Sequence, residues 1–272
     1  MVVKLPNASL PTHLDLPETD GLPMDNDFQP TQAELLTSAI RPLLVQLHPN
    51  DDYFIGRDVG IYWKVTTPPL NGCKAPDWYY VPGTLPFPID DYRRSYVMWQ
   101  EGVPPLIVIE FVSGDGTDER DDTPGTGKFW VYRRGIQAKY YAIHDPNVKT
   151  LDVYKLDGVE YRLLEPNAAN VVPIPEMGVA LGHWAGRLGS HELTWVRFFS
   201  FDGKMLPSAD ERTDLALSCA AQAESRAAQA ESRAAQAESR AAQAESLSAQ
   251  VGLQIADLIA KLRSKGIDPN TL

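Results

Sequence analysis

Apolar residues recur at spacings of three and four across residues 31–48, where Leu35, Leu36, Ala39, Ile40, Leu43, Leu44 and Leu47 share one face of an amphipathic α-helix. Thr31 with Glu34 three residues on forms a capping-box pattern at its start, and Pro42 predicts a kink within it. After this helix the period shortens. Runs of branched and aromatic residues bounded by Pro, Gly, Asn and Asp predict strands over residues 59–65, 78–81, 106–112, 140–144, 150–154 and 160–164. Between the third and fourth, KFWVYRR (128–134) followed by Gly135 predicts a short helix with a glycine C-cap. The uninterrupted apolar run 106–109 fits a central strand covered on both faces. Aromatic positions around Trp184, Trp195 and 198–201 are expected to close the domain. The succession predicts an α/β domain over residues 31–210, preceded by a proline-rich extended leader over 1–30.

A different pattern fills residues 211–272. The unit AAQAES occurs four times at a period of seven, from Ala220, Ala227, Ala234 and Ala241, and a strict heptad is the mark of a supercoiling helix. With Ala220 at position a and Ala223 at d, the register continues into Val251, Ile255, Leu258 and Leu262. Glu224, Glu231 and Glu238 then occupy e, and Arg226, Arg233 and Arg240 occupy g. A parallel pair sets Arg226 against Glu231 of the partner helix, whereas an antiparallel pair opposes like charges. The expectation is a homo-oligomer formed through this helix; a single solvated alanine-rich helix is the alternative.

The chemistry sits on two of the predicted strands. Asp77 follows Pro76 at the start of WYYV, and Glu110 interrupts LIVIEFV, placing a carboxylate inside a hydrophobic element. Such burial is unfavourable unless something compensates it. A divalent cation shared by two carboxylates on neighbouring strands would do so, since hard oxygen ligands suit magnesium. An ion pair of Glu110 with Arg120 or Arg133 is the competing account.

The segments DNDFQ, DVGIYWKV, APDWYYVPG, RRSYVMWQEG, PPLIVIEFVSGDGTDERD, GKFWVYRRGI and YYAIHDP stand in an order and spacing that resemble the Uma-type restriction endonuclease family, a branch of the PD-(D/E)XK nucleases, over roughly residues 20–205. A charged, alanine-rich tail finishing near a GIDP sequence, here 266–269, is also frequent in that family. The resemblance implies a three-layer α/β fold with a mixed central sheet, in which Asp77 and Glu110 are catalytic carboxylates that bind the metal. Where the superfamily pattern places a lysine two residues after the glutamate, this chain has Val112. The resemblance moves that role to Lys128, with Tyr132 on the same helical face; as a residue type alone, a lysine at a helix start is more often a solvated surface group. The implied activity is magnesium- or manganese-dependent DNA hydrolysis. The alternative is a non-catalytic nuclease-fold binding or regulatory module.

Charge qualifies that expectation. Net charge is −11. From Glu211 onward eight acidic and seven basic residues nearly cancel, so the part before it, with 28 acidic against 18 basic, carries about −10. DNA binding is therefore expected to be weak and to depend on the divalent ion. No run approaches the ~18 apolar residues of a membrane span, and the N-terminus lacks a signal-peptide pattern, so the expected location is the cytoplasm. Cys73 and Cys219 are expected to be free thiols. Gln29 and Glu34 are further candidate ligands on the first helix, Glu34 being equally a capping residue. Asp58 is a candidate turn residue. Asp115, Asp118, Glu119, Asp121 and Asp122 form an acidic loop that either recruits a second cation or is solvated. The histidines, His13, His48, His144, His183 and His191, show no metal-ligand spacing.

Overall fold

The computed structural model describes residues 10–19, 26–84 and 92–266. Two compact units divide the chain, residues 1–209 and 210–272.

In the first unit the elements run α1 (Phe28–Leu47), β1 (Tyr53–Gly56), β2 (Ile61–Tyr62), β3 (Cys73–Lys74), β4 (Trp78–Pro82), β5 (Tyr96–Val97), α2 (Met98–Glu101) and β6 (Ile107–Phe111). They continue through α3 (Lys128–Trp130), which passes directly into a π-helical segment (Val131–Ile136), to β7 (Tyr140–Asp145), β8 (Thr150–Asp157) and β9 (Glu160–Leu163). The unit closes with β10 (Val172–Ile174), β11 (Val179–Leu188) and β12 (His191–Phe199). Among the described residues the main sheet has six strands in the order β1-β4-β6-β7-β8-β9. It is mixed, because β6 and β7 pair parallel while its other neighbours pair antiparallel.

Period-two alternation sorts the core onto the two faces of this sheet. Trp78, Tyr80, Ile107, Ile109, Phe111, Tyr140 and Ala142 pack with Ala33, Leu36, Ile40 and Leu44 of α1 and with Ile174, Val179, Leu181 and Phe198 of the β10–β12 sheet. Tyr79, Val81, Val108, Val112, Tyr141 and Ile143 face the other way, onto Val131, Tyr132 and Ile136. Elements therefore cover the sheet on both sides. Gln32, fully buried, ties α1 to β12: its Nε2 donates to the Val196 carbonyl (2.9 Å) and its Oε1 accepts from the Val196 N–H (2.8 Å). That amide pairs backbone that would otherwise be left bare.

Several details differ from the sequence expectations. The first helix begins at Phe28, and no side chain of its N-cap residue caps it; instead Asn26 Oδ1 accepts from the N–H groups of Phe28 (3.0 Å) and Gln29 (3.1 Å). The capping box at Thr31 is thus not formed: Thr31 Oγ1 donates to the Asp27 carbonyl (2.9 Å), and Glu34 pairs with Arg57. The helix runs through Pro42 as one element. Of the expected strand 59–65 only Ile61–Tyr62 pairs, and the short helix ends at Gln137 in a left-handed conformation rather than at Gly135. Gly135 serves by its size, since a Cβ there would lie 2.7 Å from the Trp63 ring. The leader's described part packs on the domain: Trp99 Nε1 donates to the Pro11 carbonyl (2.8 Å) and Tyr62 Oη to the Pro17 carbonyl (2.7 Å). The rest of the leader, and the 267–269 part of the GIDP sequence, lie outside the described residues. Neither Cys73 nor Cys219 forms a disulfide.

The second unit is carried by α4 (Ala209–Ser264), a 56-residue helix with no buried residue. Val251, Ile255 and Leu258 are exposed along it. No helix among the described residues is long and apolar enough to cross a membrane.

Candidate active site

Antiparallel pairing of β4 with β6 matches Trp78 to Ile109. One step further along the same register sets Asp77 against Glu110. Both follow the alternation of Tyr79 and Val108, so both carboxylates belong to the face covered by α3 and its π-helical extension. Asp77 is held in place by main chain: its Oδ2 accepts the Phe111 N–H at 2.5 Å, and the Pro76 carbonyl before it accepts the Asp58 N–H at 3.0 Å.

Glu110 is 2% exposed, and both of its oxygens are engaged. Lys128 Nζ donates to Oε2 (3.0 Å) and Tyr132 Oη donates to Oε1. Lys128 and Tyr132 reach the same carboxylate because they lie one helical turn apart. The backbone between them passes from α-helix to π-helix, a distortion common at functional sites. A third carboxylate completes the cluster. Glu119, 4% exposed, accepts from Lys128 Nζ at 3.4 Å, and its backbone carbonyl accepts the Tyr141 hydroxyl at 2.8 Å.

The protonation states follow from burial and charge. Asp77 is pushed up to about 8, first by desolvation and then by the neighbouring Glu110 charge, with the Phe111 N–H opposing. Burial works to lower Lys128, but Glu110, Glu119 and Asp77 outweigh it and raise it above its ordinary value. Lys128 is therefore a permanent cation here. Tyr132 is raised by burial and then by Glu110, so it remains a neutral donor. Burial and the neighbouring charge thus favour the protonated form of Asp77, beside a Glu110 whose oxygens accept from Lys128 and Tyr132.

The expected trio of Asp77, Glu110 and Lys128 is thus brought together in space. The arginine account of Glu110 is not: Arg120 pairs with Asp152 (2.7 Å), and Arg133 with Asp122 and Glu160. Gln29 lines a cleft of about 330 Å³ that opens on Asp77 together with Arg57 and Asp58. Glu34 is drawn off by Arg57. In the acidic loop, Asp115 and Asp121 accept from the backbone N–H groups of Thr117 and Thr123 (3.1 and 2.8 Å), which accounts for them as turn residues. The histidines form no metal set: His48 bonds Asp52 and Tyr80, His144 bonds His183, and His191 bonds Asp27.

Sequence reasoning missed two members of the neighbourhood. Glu119 looked like one more loop carboxylate, and only its position nine residues before Lys128 hinted at a partner. Lys74, half-buried at β3, is lowered by burial and then by the charge of Lys128. Its three-residue separation from Asp77 was the available signal.

Hard oxygen donors, one of them raised by burial and then by the charge of the neighbouring carboxylate, fit a divalent cation of the magnesium type. Binding such an ion would replace the Asp77 proton by a charge that both carboxylates favour. Among the described residues no group of three or more His, Cys, Asp or Glu side chains is arranged to hold a metal. Were an ion held by Asp77 and Glu110 alone, its remaining positions would fall to water or substrate, as is common for magnesium.

A mixed α/β domain with a carboxylate pair on adjacent strands and a lysine closing on it from a covering helix is the class that these observations define. The chain belongs to the family described as Uma2, putative restriction endonuclease, whose model matches residues 22–188. No curated protein matches the chain.

Proposed function

We propose that this chain is a divalent-metal-dependent DNA endonuclease of the PD-(D/E)XK type, acting in the cytoplasm. The observation that carries the reading is the convergence of Asp77, Glu110 and Lys128, with Lys128 Nζ 3.0 Å from Glu110, in a chain of this family. Asp77 and Glu110 would hold magnesium or manganese, which supplies a Lewis acid offsetting the charge that builds on a phosphodiester under attack. Lys128, kept protonated, donates hydrogen bonds and positive charge to the scissile phosphate or its attacking water rather than abstracting a proton. Tyr132 fixes the Glu110 carboxylate, so the site is oriented before substrate arrives.

One observation favours a second reading. The Lys128 ammonium already bridges Glu110 and Glu119, and a cluster that neutralises itself suits a non-catalytic binding module. Cleavage of single-stranded and duplex DNA with and without magnesium or manganese, run beside Asp77→Ala, separates the two. Metal-dependent cleavage lost in the variant supports the enzyme; no cleavage by the parent in either metal leaves the module.

The tail pairs with a second copy in parallel. The heptad register in α4, the exposed Val251, Ile255 and Leu258 on its seam, and the Arg226–Glu231 complementarity support this. Sedimentation of the full chain and of a chain ending at Asp210 tests it: both running as monomers at micromolar concentration would refute the pairing.

A further inference from the structure

A second cleft, of about 590 Å³, runs beside the candidate active site, and its walls are the segments that deliver the site's residues. Trp63, Lys64, Asn71 and Lys74 form one wall, and Asp77 follows Lys74 by three residues. Gly125 and Thr126 belong to the other, and Lys128 follows Thr126 by two. In a chain of net charge −11 this lining is unusual: it includes two lysines and, among the described residues, no carboxylate.

Lys64 is the informative residue. Its Nζ lies 4.2 Å from the centroid of the Trp63 ring and donates to the Gly125 carbonyl at 3.5 Å, so it reaches across the cleft to a ring face and a long hydrogen bond rather than to an acid. Arg93, by contrast, pairs with Glu101 at 2.7 Å. Lys74 is lowered first by burial and then by the charge of Lys128, and an anion in the cleft would oppose both.

The geometry points to this cleft as the channel for the DNA strand flanking the scissile phosphate, with backbone phosphates on Lys64 and Lys74 and the Trp63 wall beside a sugar or base. This assignment rests on the nuclease reading for its substrate, but it makes a separate claim about where affinity comes from. The acidic body repels DNA, and the cleft is a local exception to that charge.

Binding is measured by anisotropy of fluorescein-labelled DNA, single-stranded and duplex, with calcium in place of magnesium so that binding is read without turnover. Cleavage is followed in parallel with magnesium. The variants are Lys64→Glu, Lys64→Arg and, as a remote charge control, Lys204→Glu, on the full chain. Lys64→Glu is expected to weaken binding about tenfold, to lower the slope of log affinity against log salt by about one, and to raise KM while leaving kcat within about twofold. Lys64→Arg restores parental binding, and Lys204→Glu changes neither readout. Parental affinity and salt slope in Lys64→Glu, an equal loss in Lys204→Glu, or no DNA binding by the parent would each overturn the inference. If the parent binds DNA through Lys64 and never cleaves it, the channel stands and the nuclease reading falls. If the parent cleaves and Lys64→Glu behaves as the parent, the reverse holds.

Discussion

Replacing Asp77 by asparagine should stabilise the metal-free protein. The folded carboxyl titrates near 8 and an unfolded aspartate near 3.8, so between those values the folded chain carries a proton that the unfolded chain has lost. Stability then falls as pH rises across that window, because the slope follows the protons bound by the unfolded state less those bound by the folded state. This is opposite to the usual carboxylate, whose depressed value makes stability rise with pH. Over the interval from 3.8 to neutrality the penalty amounts to about 4 kcal/mol at ~1.4 kcal/mol per pH unit, a ceiling because water reaches part of the group. Asparagine mimics the protonated form and can still accept the Phe111 N–H, so it removes the penalty without losing the bond. Denaturant unfolding in EDTA at pH 4, 7 and 9 should show no gain at pH 4 and a gain of at least about 1 kcal/mol at pH 7 that persists at pH 9. With saturating magnesium the order should reverse, since an ion that binds only the folded parent stabilises it by mass action. A variant that is destabilised equally at all three pH values, together with a parent unmoved by magnesium, would refute the reasoning and leave Asp77 as scaffold.

Glu110→Gln should behave oppositely and destabilise the metal-free fold by about 2 to 4 kcal/mol, because it strips Lys128 of its nearest carboxylate; a midpoint equal to the parent's in denaturant titration would contradict this. Lys128→Ala should cut turnover by about a hundredfold or more while magnesium binding, read by calorimetry, stays equal or tightens, since an ammonium is no ligand. Gly135→Ala should lower stability by about 1 to 3 kcal/mol, because its Cβ would meet the Trp63 ring at 2.7 Å; thermal unfolding reads it. His144, lowered to about 4 by burial and by His183, should make the parent lose stability as pH falls from 6.5 towards 4, and His144→Gln should flatten that slope in acid titration.

Where a strand is covered on both faces, its sequence announces it. The runs around Trp78, Ile107 and Tyr140 were legible because apolar side chains fill successive positions, and that at Thr150 by its branched and aromatic residues; each proved to be a strand of the main sheet. Tyr53–Gly56 was not, because its apolar run, YFIG, is only four residues long. The long hairpin of β11 and β12 was hidden by Gly182, His183, Gly186 and Arg187, which break the alternation although every residue of β11 from Ala180 is paired. Gly182 and Gly186 are small because Phe199 and Trp184 fill the space, a tertiary fact that no local pattern carries. The same distinction governs the site. Asp77 and Glu110 were visible as acids where a strand should be apolar. Glu119 and Lys74 were not, because what singles them out is a partner on another element.

The acidic body and the proposed reaction make sense together only if affinity and catalysis share a cation. Before an ion binds, Glu110 is held by Lys128, which also faces Glu119, so the lysine's charge is largely spent inside the protein. An ion between Asp77 and Glu110 would take over that neutralisation and release Lys128's field toward the cleft, where Lys74 already adds to it. One binding event thus turns a self-compensated cluster into an anion-attracting one. On this argument divalent ions should tighten DNA binding in the parent far more than in Glu110→Gln, where Lys128 has already been released from that carboxylate. Anisotropy with and without calcium gives the comparison, and an equal tightening in both proteins would place the ion's effect elsewhere than at this carboxylate.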